Sequence, residues 1–182
     1  MGKFYRKLND QLVEFIENQP IFFTGTAPRD GRVNLSPKGM DTLRVLDDAT
    51  VGYLDLTGSG AETAAHIREN GRLTLMFCSF NGNPLILRLY GRGELVRPGA
   101  PGWEALRARF PDYPGARQVV VQHVESVQTS CGFGVPLMGY EGQREELLRW
   151  TEKKGEAGLR RYVAEKNRES IDGLPTGLGE PD

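Results

Sequence analysis

A chain of 182 residues is the size of one domain, and a 38% hydrophobic share suffices for a core of its own. Its 23 Lys and Arg against 24 Asp and Glu leave a formal net charge of -1, so no overall field draws it onto nucleic acid or an anionic membrane. No apolar run approaches the roughly 20 residues of a membrane helix, the opening Met-Gly-Lys-Phe-Tyr-Arg lacks a signal-peptide core, and Cys78 and Cys131 stand apart; a cytoplasmic chain with reduced thiols and no metal site is expected.

Phe4, Leu8, Leu12, Phe15 and Ile16 recur at helical spacing, with Lys3, Arg6, Lys7, Asp10, Glu14 and Glu17 on the opposite face, predicting a first helix that Pro20 ends. Short β-type runs follow at 21–26, 33–36, 43–46 and 50–56, the first two joined by the turn Pro28-Arg29-Asp30-Gly31. A second helix over about 61–69 is entered through Gly58-Ser59-Gly60 and stopped by Asn70-Gly71. Strand character resumes at 73–77, and Asn81-Gly82-Asn83 turns it into a long run, 85–96, where Gly91 and Gly93 mark a bulge or corner. A loop from Pro98 to Pro114 carries a short helix around 103–109, and 118–128 reads as a strand centred on Val119-Val120-Val121. Between 141 and 167, Leu147, Leu148, Trp150, Leu159, Tyr162 and Val163 among many charges predict one or two amphipathic helices, and the last ten residues read as disordered. About six strands with one internal helix make an α+β, mostly β pattern, closed most economically as a small barrel over 1–138, with 139–182 packed on it as a helical extension.

Chemically useful groups concentrate in three places. In the first, Leu54 to Thr63, a strand runs into a Gly-Ser-Gly turn that opens a helix; free backbone N–H groups and the hydroxyls of Thr57, Ser59 and Thr63 suit an anion, though the same residues also serve as an ordinary cap and tight turn. In the second, Val33 to Gly39, Pro37 stiffens a strand exit that presents Lys38, either to a ligand or to solvent. Arg88 interrupts an apolar strand and shares one side with Ile86 and Tyr90, the side of a pocket or interface. The third, 127–138, contains Cys131, but His66 and His123 are the only imidazoles and no orienting carboxylate accompanies them, so cysteine-hydrolase and zinc chemistry are not expected.

The series Asp30 to Gly39, Val51 to Ile67 and Arg68 to Phe77, in that order, resembles the FMN-binding split-barrel family typified by pyridoxamine 5'-phosphate oxidase, over roughly 21–137. The resemblance implies a six-stranded split barrel with flanking helices, and a homodimer whose second subunit completes a site for FMN and a small-molecule substrate. It assigns cofactor contact to Ser36, Lys38, Leu56, Thr57, Glu62, Thr63 and Arg88, and a cross-subunit wall to Ser130, Cys131 and Gly132. The activity it implies is hydride or electron transfer between NAD(P)H and a small organic acceptor; the alternatives are a flavin, deazaflavin or heme module without turnover, or a barrel that has lost its cofactor. In the vitamin-B6 oxidases an Arg-Lys pair opens the helix after the turn, whereas this chain has Glu62-Thr63. It also continues past Met138 into charged helices where those enzymes place a Trp and an Arg over the flavin. The B6 oxidase activity is therefore not expected, and a flavin phosphate would rely on Lys38, hydroxyls, backbone amides, or an arginine such as Arg68 or Arg88.

Overall fold

A computed structural model describes residues 2–179. The chain opens with strand β1 (Lys3–Tyr5) and helix α1 (Asp10–Glu17). The helix thus starts later than its apolar face suggested. The Asn9 side chain caps it, accepting the Leu12 N–H at 3.0 Å, and residues before a cap adopt extended geometry. Lys3–Tyr5 use that freedom to pair with the end of the last strand, leaving Phe4 exposed.

The barrel follows as β2 (Phe22–Thr26), β3 (Asn34–Lys38), β4 (Leu43–Asp47), β5 (Thr50–Leu56), α2 (Glu62–Asn70), β6 (Arg72–Cys78), β7 (Ile86–Val96), α3 (Trp103–Arg107) and β8 (Ala116–Ser130), with α4 (Glu146–Lys166) beyond it. All pairings are antiparallel, in the order β3-β2-β6-β7-β8-β5-β4, with β1 on β8. The architecture is the expected α+β, mostly β split barrel, with eight strands rather than about six because short edge strands extend the sheet.

That order explains the split. Strands β3 and β4 lie at opposite ends of the sheet yet follow one another in sequence, joined only by residues 39–42. Curling brings the two ends together without ladder hydrogen bonds between them. The tight connection places Met40 (φ 64°) and Asp41 (φ 53°) in the left-handed region, a cost that side chains with a Cβ bear only where the surroundings enforce it. Thr42 Oγ1, donating to Gly39 O at 2.6 Å, and Arg44, paired with Asp41, hold the turn.

The interior is built from alternating residues: Phe22, Tyr53, Leu75, Phe77, Leu87, Leu89, Val120 and Val127, closed at one end by Leu12 and Ile16 of α1. A second cluster covers the other face of β5 and β8, where Trp103 and Phe110 pack on Leu54, Val119 and Val121. Strand β5 is consequently buried on both faces from Val51 to Asp55. The corner anticipated in β7 is a register shift between Tyr90 and Gly91; a Cβ on Gly91 would come within 2.0 Å of His123 O.

Helix α4 breaks at Gly155 (φ 62°, ψ 172°), and its halves fold so that Trp150 meets Tyr162 edge-on at 5.0 Å. Nor is the tail the disordered segment expected. Leu178 is buried against Ala61 and Ala64, and Arg97 donates to Thr176 O at 2.7 Å and Gly177 O at 2.6 Å. A Gly- and Pro-rich composition reads as disorder until such distant donors satisfy its carbonyls; the remaining three residues of that stretch lie outside the described ones. No helix among the described residues is long and apolar enough to cross a membrane. Gly91→Ala is expected to lower stability by about 2–3 kcal/mol, since a strand backbone must move to admit the methyl, whereas Gly134→Ala, with open space around it, stays within about 0.5 kcal/mol. Paired thermal or urea unfolding curves measure both.

Candidate functional site

The split contains a cavity of about 370 Å³. With the period of two of a strand, β3 presents Asn34, Ser36 and Lys38 to it. Leu54, Asp55 and Leu56 of β5 form the opposite wall, the 58–60 turn and the start of α2 one end, and Leu147 of α4 a further edge. Because β3 ends the sheet, its outer backbone groups have no strand partner, so an edge of free donors and acceptors runs along the cavity.

Asp55 is the charged centre of this wall. It is 4% exposed, within an otherwise apolar strand, and a carboxylate so placed needs partners. Arg117 Nε donates to it at 2.8 Å, Gln118 Nε2 at 2.8 Å, and Lys38 Nζ approaches to 3.5 Å across the split. The Arg117 contact depends on an irregularity: Asp55 pairs with Gln118 but Leu56 with Ala116, so Arg117 is the extra residue of a bulge and is aimed inward by it. Burial by itself would raise the Asp55 pKa, but Arg117 and Lys38 outweigh it and hold the group down to about 2. Lys38 also lies 5.8 Å above the Tyr53 ring.

Arg117 extends the network to the turn, donating from Nη2 to Gly60 O at 2.6 Å and from Nη1 to Asn167 at 3.2 Å. Asn167, fully buried, returns a bond from Nδ2 to Gly58 O at 3.0 Å, so the turn is held from β8 and from the end of α4. Helix α2 starts at Ala61 without a side-chain cap. Glu62 folds back instead: one carboxylate oxygen accepts the Ala61 N–H at 3.0 Å, the other the Ile171 N–H at 3.4 Å. A polar chain lines the inner edge, from Ser36 Oγ to Asn34 Oδ1 (3.0 Å) and from Asn34 Nδ2 to Thr63 Oγ1 (3.2 Å) and Thr26 Oγ1 (3.1 Å). It ends at His66 Nδ1, 2.9 Å from Thr26 Oγ1, and burial lowers the pKa of that imidazole.

Of the residues singled out in the sequence, Ser36, Lys38, Leu56, Glu62 and Thr63 meet at this cavity. Thr57 is adjacent but turned away, its N–H and Oγ1 both bound to Gly115 O. Arg88, Ser130, Cys131 and Gly132 gather elsewhere: Ile86 pairs with Ser130, and Arg88 Nη1 donates to Ser130 Oγ at 3.2 Å, away from this cavity within one chain. Cys131 is exposed, while burial pushes the Cys78 thiol up. Of the imidazoles, His66 contacts Thr26 and His123 pairs with Glu94. Among the described residues no three His, Cys, Asp or Glu side chains converge as metal ligands. Neither Asp55 nor Arg117 was assigned a role from the sequence. For Asp55 the signal was an acid inside Val-Gly-Tyr-Leu-Asp-Leu, where burial on both faces demands a counter-charge; nothing in the residues around Arg117 announces the bulge.

The sequence pattern of the family described as pyridoxamine 5'-phosphate oxidase matches residues 8–131, the barrel and every strand of the cavity. The chain belongs to the pyridoxamine 5'-phosphate oxidase family. An Aspergillus flavus relative, the pyridoxamine 5'-phosphate oxidase family protein ustO, is 38% identical over 195 residues, spanning 96% of this chain and 78% of the fungal protein. Crystal structures of HupZ from Group A Streptococcus and of a histidine-to-alanine variant of it share the fold, with TM-scores of 0.54 and 0.53 and identities of 23% and 24%. They cover 72% and 67% of this chain and 99% and 98% of their own. The family match ends at 131, so α4 and the tail, which hold the turn through Asn167 and Glu62, lie beyond it.

The depressed Asp55 pKa makes a linkage prediction. Its folded value, about 2, lies below the ordinary 3.8, so the stabilisation is complete above pH 3.8 and lost as pH falls toward about 2. The amount is about 2 kcal/mol. Asp55→Asn is expected to destabilise the protein by about 3–5 kcal/mol at neutral pH, leaving Arg117 buried without its anion, and to narrow its gap from wild type between pH 4 and 2. Chemical denaturation of both proteins across that range measures the effect.

Proposed function

We propose that this chain binds FMN in the split of its barrel and acts as a flavin-dependent oxidoreductase, passing hydride or electrons between NAD(P)H and a small organic acceptor. The observation that carries the reading is the convergence of an open strand edge, Lys38, the Ser36 and Thr63 hydroxyls and the uncapped start of α2 on one cavity. These groups fit a phosphorylated flavin. Free N–H groups at a helix start and a nearby cation suit the phosphate, and the edge of β3 suits the hydrogen-bonding rim of a planar ring. Glu62 brings a negative charge to this end of the cavity, but its oxygens are drawn back onto the Ala61 and Ile171 amides, and the phosphate is left to Lys38, the hydroxyls and the helix-start amides.

When bound, the flavin supplies the hydride-accepting centre; the protein's part is to bind, orient and tune it. Lys38 is the cation at the cavity that would offset the charge of the bound flavin, and Asp55 fixes the ammonium from the other side of the split. Arg117 holds the turn beneath the phosphate, a task for which the vitamin-B6 oxidases use other basic residues. With Glu62-Thr63 in place of an Arg-Lys pair, pyridoxamine-phosphate oxidation itself is not part of this proposal.

The working unit proposed is a cytoplasmic homodimer. Val33 just before β3 and Leu35 on it, with Phe133 and Leu137 after β8, are large apolar side chains left in water by the single chain, the pattern of a surface covered by a second copy. Arg88 and Ser130 to Gly132 would then reach the partner's flavin.

Purified protein supplemented with FMN is expected to turn yellow, with absorbance near ~450 nm that bleaches with NADPH. Yellow without bleaching would reduce the reading to a flavin-binding module, and protein that ignores FMN would remove it. Lys38→Ala should weaken FMN binding by about 1–3 kcal/mol in a fluorescence titration. Light scattering should return twice the 20.2 kDa chain mass.

A further inference from the structure

A larger hollow, about 980 Å³, adjoins the cofactor cavity. The two share Pro37, Lys38, Gly39, Met40 and Leu147, so one wall of each is the same stretch of β3 and its exit turn. The rest of the hollow is chiefly apolar: Ile21 just before β2 and Phe23 on it, Phe80 from the β6–β7 turn, and Met138 and Tyr140 from the segment after β8.

That segment has no regular secondary structure, yet it is fastened in place. Met138 N–H donates to Phe80 O at 2.9 Å, and Gln143 Nε2 to Pro20 O at 2.9 Å. Gln143 packs so closely over Gly39 that a Cβ there would meet its Oε1 at 2.9 Å. Residues 138–145 and the start of α4 therefore roof the hollow from the same chain, a stretch spanning 138–147. Its charges cancel: Lys38 and Arg144 face Glu141 and Glu146. No surplus positive charge remains for a phosphate, and the size matches small-molecule sites of about 300–1,000 Å³.

We infer that this chamber is the substrate site of the flavoprotein, and that it takes an uncharged, largely apolar molecule, held by Phe23, Phe80, Met138 and Tyr140 beside the cofactor. The inference rests on the flavin reading for its placement next to the ring, but the chamber itself is formed by the protein alone. The 138–147 roof, outside the stretch matched to the family, is the specificity element, and Tyr140 lines the chamber with 58% of its surface still exposed for a bound molecule to cover.

The test uses the full chain, with and without FMN, and the neutral fluorescent probe N-phenyl-1-naphthylamine. Saturable binding is expected in both states, weakened about tenfold by Phe80→Ser and by Tyr140→Ser, the loss of one aromatic contact with the probe. Pyridoxal 5'-phosphate should not displace the probe. In the FMN-loaded protein the probe should perturb the flavin absorption band, as a neighbour within contact of the ring would. Binding with this residue dependence in the absence of any FMN uptake would sink the flavin reading and leave the chamber standing. The chamber inference is overturned if the FMN-loaded protein binds no probe, if both variants bind it as wild type does, or if pyridoxal 5'-phosphate competes. It is equally overturned if the variants change the oligomeric state instead of probe affinity, which would make the hollow a contact between copies. Should Phe80→Ser fail to fold, Tyr140→Ser decides, because so exposed a side chain contributes little to stability.

Discussion

A carboxylate withdrawn from water in the middle of β5 sets the terms for the rest of the molecule. Unpaired, the Asp55 charge would cost several kcal/mol, and its three partners come from two distant strands: Lys38 from the sheet's far edge, and Arg117, from a bulge, beside Gln118, from the paired rung, both on β8. Satisfying one acid thus fixes the closing of the split, the irregularity in the β5–β8 ladder and the placement of two cations beside the cavity. A buried ion cluster adds little net stability over apolar side chains of the same volume; what this one contributes is a single defined closure of the sheet.

The same cluster controls the turn before α2. Arg117 divides its donors between Asp55, Gly60 and Asn167, and Asn167 closes the circuit by binding Gly58. A loop of glycines is soft, and softness is a poor way to hold a ligand's charged end. Here the carbonyls of Gly58 and Gly60 are occupied by Asn167 and Arg117, which fixes the turn at the end of the cavity beside the start of α2. The C-terminal extension is consequently part of the site. Glu62, the residue that set this chain apart from vitamin-B6 oxidases, works as the link, joining the helix start to the tail through Ile171 while Leu178 packs on Ala61 and Ala64.

Around this polar line the molecule is divided by function. Interior aromatic and branched side chains fill the barrel, and a second cluster under α3 seals β5 and β8 from behind. The outer surface of β3 and the residues after β8 keep apolar groups in water, and the segment from 138 bends back to roof a hollow beside the cavity. The cavity in the split, the exposed apolar face and the roofed hollow all meet at β3, a strand of five residues whose alternate side chains face different neighbours.

What the sequence determined by itself was local. Period-two runs marked the strands, Gly58-Ser59-Gly60 and Asn70-Gly71 bracketed α2, Gly91 marked the corner of β7, and the order of these signals identified the family and brought Ser36, Lys38, Leu56, Glu62 and Thr63 forward as a group. Each of those signals arises from φ/ψ preference or alternation within a few residues of chain. The tertiary structure alone decided the pairings that span distance. Asp55 meets Lys38 from 17 residues away and Arg117 from 62, through a curl and a bulge that leave no trace in the neighbouring sequence. It decided too that Thr57 spends its hydroxyl on Gly115, that Arg88 lies by Ser130 away from this cavity, that Lys3–Tyr5 leave the helix for the sheet, and that the tail packs. In every such case the deciding quantity was burial or a distant hydrogen-bond partner, and neither exists until the sheet has closed.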